Sequence, residues 1–137
     1  MSDSGAKQGR GAGAVRTTKA VGDEAEAQAL SHLQAAGLRL VARNFRTPGR
    51  GGGEVDLIVQ EPDGTLVFVE VRRRARTDFG GAAASVGHVK QRRIVFAARH
   101  YLARLRDLPP CRFDVVAIDG PGVVQWHKAA FDATGYT

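Results

Sequence analysis

One cysteine, Cys111, and four histidines dispersed at His32, His88, His100 and His127 are the only thiol and imidazole ligands in this chain of 137 residues. A single cysteine closes no internal disulfide and completes no Cys-x-x-Cys site, and no His-x-x-x-His or His-Glu-x-x-His spacing occurs, so zinc centres and disulfide scaffolds are excluded. Cys111 is assigned a structural role and the histidines are read as ordinary surface or half-buried ones. Apolar runs of membrane-spanning length are missing, as is an apolar signal region near the N-terminus, so a cytoplasmic protein with no membrane partner is expected. Ser31 and Ser85 lack the context of a nucleophile elbow, and no Gly-Lys-Ser/Thr follows the glycine run at 49–53, which removes serine hydrolases and phosphate-loop enzymes. There is no internal repeat and no heptad run.

What is present is a basic chain of ordinary core content, with a formal charge of +6 and 43% hydrophobic residues. That supports one domain and favours polyanionic partners over small anionic substrates. Half of the net charge falls in residues 1–20, where Lys7, Arg10, Arg16 and Lys19 face only Asp3 among Gly, Ala and Ser. This segment reads as a disordered basic arm, followed by one domain over 21–137.

Helical periodicity predicts a first helix from Asp23 to Ala36, with Ala25, Ala29, Leu33 and Ala36 on its buried stripe and Gly37 ending it. Glu26 shares a side with Leu30 and Leu33, at the border of that stripe, where it either serves a site or complements the helix dipole. A short strand over 38–45 leads into the Pro48 to Gly53 loop, read as a mobile basic flap whose Arg50 can approach a phosphate. A second helix is predicted from Gly87 to Arg106 with Ser85 near its cap. Ile94, Ala97, Ala98, Tyr101, Leu102 and Leu105 form its buried stripe. Lys90, Arg92, Arg93, Arg99, Arg104 and Arg106 cover much of the rest, with Asp107 the only acid nearby, which favours a phosphate-facing surface. Pro109-Pro110 stops this helix, Arg112 to Ile118 reads as a buried strand, and Val123 to His127 as a short edge strand. The order helix, three strands, helix, two strands is an α/β fold with a mixed five-stranded sheet.

The most informative segment is the predicted hairpin of Glu54 to Val59 and Leu66 to Arg72 about Pro62-Asp63-Gly64. A three-residue loop with Gly64 left-handed makes Glu61 face Thr65, which sets Asp56 opposite Glu70 and Glu54 opposite Arg72. Opposed like charges are destabilising unless a cation lies between them. All four side chains share one face with Leu66 and Phe68, so an apolar face runs into an acidic end, as at the mouth of a site. A charged solvent-facing side is the ordinary alternative.

Gly53-Glu54-Val55-Asp56-Leu57-Ile58, Val67-Phe68-Val69-Glu70-Val71-Arg72-Arg73-Arg74, Lys90-Gln91-Arg92-Arg93 and Arg112-Phe113-Asp114-Val115-Val116, with Ala25-Glu26, Ala29, Leu33, Gly37 and Arg43-Asn44 upstream, resemble the YraN-like family of small bacterial proteins over about residues 22–132. The resemblance implies a restriction-endonuclease-like core, close to archaeal Holliday-junction resolvases. In such nucleases a helix glutamate, a hairpin aspartate, a second acid and a lysine two residues on surround magnesium. By position these are Glu26, Asp56, Glu70 and Arg72, with Asp56 and Glu70 holding Mg2+ or Mn2+. Arg72 stands where lysine is usual; arginine neutralises phosphate but accepts no proton at neutral pH.

The expected function is a nucleic-acid-binding, nuclease-like protein, a metal-dependent endonuclease on structured or branched DNA or on RNA, with DNA placed before RNA. Arg43, Arg50, Arg74, Lys90 and Arg93 are the candidate nucleic-acid contacts, and a homodimer is admitted. Two alternatives stay open: a non-cutting nucleic-acid-binding module, and a protein-interaction scaffold that keeps the nuclease fold.

Overall fold

The computed structural model describes residues 17–74, 86–119 and 122–136, with Arg74 described in its backbone only. Helix α1 (Thr18–Ala35) precedes strands β1 (Arg39–Arg46), β2 (Glu54–Gln60) and β3 (Leu66–Arg74), then come α2 (His88–Leu102), β4 (Cys111–Asp119) and β5 (Val123–Phe131). The strands form one sheet in chain order; β3 and β4 run parallel and every other neighbouring pair antiparallel. This is the expected mixed α/β architecture. A three-stranded antiparallel meander, β1 to β3, and the β4–β5 hairpin are thus joined by a crossover through α2.

The hairpin turn follows from its three residues. Gly64 has φ +97°, and the Glu61 and Thr65 backbones close the loop, Glu61 N–H donating to Thr65 O at 2.9 Å. The register that results pairs Gln60 with Leu66, Ile58 with Phe68 and Leu57 with Val69. Alternation then sends the two sets of apolar side chains to opposite faces. Leu57, Val59, Val67 and Val69 meet Ala25, Ala29 and Leu33 of α1, while Ile58, Leu66 and Phe68 meet Ile94, Val95, Ala97 and Ala98 of α2. Each fully buried aliphatic or phenyl side chain contributes roughly 1.5–3 kcal/mol, and the alanines let both helices lie close to the sheet.

The helix bounds differ from the periodic reading. Helix α1 begins at Thr18, because Thr17 caps it: its Oγ1 accepts from Ala20 N–H at 3.0 Å, which draws the last residues of the expected arm into the helix. The rest of that arm, residues 1–16, lies outside the described residues. Helix α2 stops at Leu102, and tight turns bonded from Arg104 to Tyr101 and Leu105 to Leu102 carry Leu105 onto the core. Its cap is Gly87, with no side-chain capping bond; Ser85, the expected cap, is outside the described residues. Strand β5 extends to Phe131, well beyond the short strand expected. Cys111 is exposed at the head of β4, its thiol donating to Pro109 O, so it takes no part in the core. Among the described residues no helix is long and apolar enough to cross a membrane.

Candidate functional site

Backbone pairing between β2 and β3 ends at Leu57 and Val69. At the next position along each strand stand Asp56 and Glu70. In place of a strand partner, the Val71 N–H donates to Asp56 Oδ2 at 2.8 Å. Glu70, only 8% exposed, stands beside Asp56 where the hairpin pairing ends. Burial raises the Glu70 carboxyl first, and the Asp56 charge second, to about 8, against the opposing pull of Lys90. Burial also raises Asp56, opposed by the Val71 and Glu70 hydrogen bonds and by Lys90. The pair is therefore the protonation-frustrated point of the sheet.

Both helices reach it. From α2, Lys90 Nζ lies 3.5 Å from Glu70 Oε2. From α1, Glu26 stands near enough to Asp56 that, after burial, the Asp56 charge is the next largest cause of its raised carboxyl; an Asn44 hydrogen bond and the Arg43 charge oppose the rise. Asn44 achieves this from a left-handed backbone at φ +49°, a conformation asparagine tolerates better than most residues. Arg43 Nη2 is 4.0 Å from Glu26 Oε1, yet that oxygen is buried and has no hydrogen-bond partner in the structure.

The structure separates other groups that the sequence reading joined. Glu54 does not meet Arg72, because the hairpin pairing has ended before either residue. Glu54 lies opposite Arg46 in β1, and its Oε1 is 3.8 Å from Arg46 Nε and 3.7 Å from Arg93 Nη2. Arg72 runs beside Ala117 of β4 and, with Glu70, Arg73, Gly87 and Lys90, lines a cavity of about 350 Å³. Arg50 is exposed on the glycine loop, and the Arg74 side chain lies outside what is described. The loop is no loose flap: Gly53 N–H donates to Thr47 Oγ1 at 2.7 Å, Thr47 N–H to Gly53 O at 3.0 Å, and Arg93 Nε to Gly52 O at 3.3 Å.

Sequence reasoning missed Asn44 as the partner of Glu26 and Lys90 as the partner of Glu70. A lysine among many helix cations carries no local sign of its target. Among the described residues no three of His, Cys, Asp and Glu converge as a ready-made metal cluster. What converges is the Asp56–Glu70 pair, with Glu26 on its flank. These are hard oxygen donors, and the orphaned Glu26 oxygen is a group a cation would satisfy, so the residues fit magnesium or manganese better than any softer ion.

Comparison with known proteins decides the family. Residues 25–118 match the uncharacterised protein family UPF0102. The chain belongs to that family. UPF0102 is the YraN-like group whose motifs the sequence resembles. The UPF0102 protein of Albidiferax ferrireducens is 67% identical over 119 residues, covering 87% of this chain and 92% of its own length. That of Paracidovorax citrulli is 66% identical over 123 residues, 90% of each chain, and that of Methylibium petroleiphilum 60% over 121 residues, 86% of this chain and 98% of its own. The UPF0102 match spans α1 to β4, so every residue of the acid site lies within it.

Proposed function

We propose that this UPF0102 protein is a nucleic-acid-binding, nuclease-like protein that hydrolyses phosphodiester bonds with a divalent cation. The observation that carries the reading is the Asp56–Glu70 pair at the end of the hairpin, Glu70 buried, Asp56 half-buried, with Lys90 Nζ 3.5 Å from Glu70. A pair so placed costs folding energy unless a cation relieves it. Asp56 and Glu70 would hold Mg2+ or Mn2+, with Glu26 assisting from α1. The bound ion would supply positive charge at the scissile phosphate and make water a better nucleophile near neutral pH.

The protein's own residues supply the rest. Arg72, at the cavity beside Glu70, would neutralise a phosphate oxygen and stays charged throughout. Lys90 holds Glu70 in position and adds a second cation to the same cavity. Val71 N–H keeps the Asp56 carboxylate oriented. Structured, branched or single-stranded DNA and RNA are the substrate classes to test.

Arg72 favours one other reading. If a lysine at that position must help remove a proton from water, the native protein binds nucleic acid without cutting it. The experiment compares the native protein, Arg72→Lys and Asp56→Asn on linear, branched and single-stranded DNA and RNA with magnesium or manganese. Cleavage by the native protein that Asp56→Asn abolishes and Arg72→Lys changes only modestly supports the nuclease. Cleavage seen only in Arg72→Lys identifies a binding module. Cleavage that persists in Asp56→Asn overturns the site.

A further inference from the structure

The acid pair does not use the larger cavity beside it, which measures about 560 Å³ and lies between the glycine loop and α2. Three guanidinium groups face it, Arg46 from β1 and Arg92 and Arg93 from α2. Its only acid is Glu54, already divided between Arg46 and Arg93. Arg92 makes no ion pair among the described residues. A surplus of arginines at one cavity suits an anion with several oxygens, and the planar fork of arginine matches a phosphate.

The cavity is built rather than incidental. A Cβ at Gly52 would come within 2.3 Å of Thr47 Oγ1, and one at Gly53 within 2.1 Å of the Arg93 carbonyl oxygen and 2.8 Å of Ala97 N. Only glycine permits these approaches, and the Thr47–Gly53 bonds lock them. The wall that presents backbone to the cavity is therefore preformed. Its place relative to the acid pair is also defined, since Glu54 at the cavity and Asp56 in the pair are two residues apart on β2, about 7 Å along a strand. That is the scale of one nucleotide step. On α2 the same division recurs, with Lys90 at the acid pair and Arg92 and Arg93 at the loop cavity.

We propose that this cavity seats a backbone phosphate next to the reacting one, so that the protein grips a single polynucleotide strand at the acid pair and one phosphate away from it and acts within chains rather than on mononucleotides. The inference rests on the nucleic-acid reading of the site and adds to it a second phosphate seat, with Arg46 and Arg92 as its new contacts.

The test measures binding of the full chain, in EDTA to prevent cleavage, to single-stranded oligonucleotides of increasing length and to inorganic phosphate. The comparison is with Arg46→Gln/Arg92→Gln and with Arg46→Lys/Arg92→Lys, each checked for an unchanged melting temperature. Native affinity should climb with length to a plateau. The glutamine variant should lose about tenfold at that plateau, and its log–log salt slope should shrink by roughly 1.4, two single-strand contacts at about 0.7 each. Mononucleotide binding should not change, and the lysine variant should recover most of the slope. A glutamine variant that binds long strands like the native protein overturns the second seat alone. Phosphate or mononucleotide binding as tight as that of long strands also overturns it, since the cavity would then hold a small anion. A native protein that binds no oligonucleotide overturns the seat and the nucleic-acid reading together.

Discussion

Asp114 and Glu70 are both withdrawn from solvent, 0% and 8% exposed, and their surroundings give them opposite characters. Asp114 accepts hydrogen bonds at 2.9 Å from Arg112 Nε and Nη2, Trp126 Nε1 and Ala129 N–H, filling a point where the β4–β5 register shifts and Ala129 is left-handed. Its work is structural. Replacing Asp114 with alanine leaves Arg112 with Glu61 as its acidic partner but strands the Trp126 and Ala129 donors, and should cost about 2–5 kcal/mol in urea denaturation while leaving any metal response of the surviving fold intact. Glu70 has one cation, Lys90 at 3.5 Å, and one neighbouring acid, and this gives a pH signature. Its carboxyl is raised from 4.5 to about 8, so the folded protein binds more protons than the unfolded chain between those limits. Stability from this group is complete below about 4.5 and is lost as pH rises toward 8. Melting curves without metal should fall across that range, and Glu70→Gln should flatten the decline. A divalent cation needs the ionised pair, so its stabilising effect should grow over the same interval.

At the scale of elements, local chemistry was legible where it was local. Pro62-Asp63-Gly64 fixes the β2–β3 register from within three residues, and the opposition of Asp56 and Glu70 follows from it. The N-terminus of α1 has a local signal too, since Thr17 ahead of the apolar stripe is a good capping residue. The glycine loop was not legible, because its shape depends on α2, far away in sequence. Gly53→Ala tests that dependence: the added methyl meets the α2 backbone on two sides. The expected loss is about 1–3 kcal/mol in denaturant melts, larger than for the same change at Gly49, which has open space around it but a strained left-handed φ. Equal losses at the two positions would mean that the loop does not lean on the helix. The fate of Glu54 was hidden for a similar reason. Its partners come from β1 and α2, and the end of the hairpin pairing has no signature within the hairpin itself.

For the whole molecule, the sheet acts as a partition with one helix on each face, and the acid pair lies where both helices can reach it. Helix α1 delivers Glu26 and α2 delivers Lys90, so the site exists only in the assembled fold. This is why periodicity could place both helices yet could not say which of their many charges would meet the hairpin. It also gives the account a thermodynamic consequence, because an ion held only by the folded chain must stabilise it. Melting temperature measured against magnesium and manganese concentration, for the native protein and for Asp56→Asn/Glu70→Gln, tests this directly. The native protein should gain stability with metal, whereas the double variant should gain none and, freed of the opposed charges, should melt no lower than the native protein without metal. A metal response that survives in the double variant, or a native protein indifferent to both ions, would contradict the assignment of Asp56 and Glu70 as a cation site.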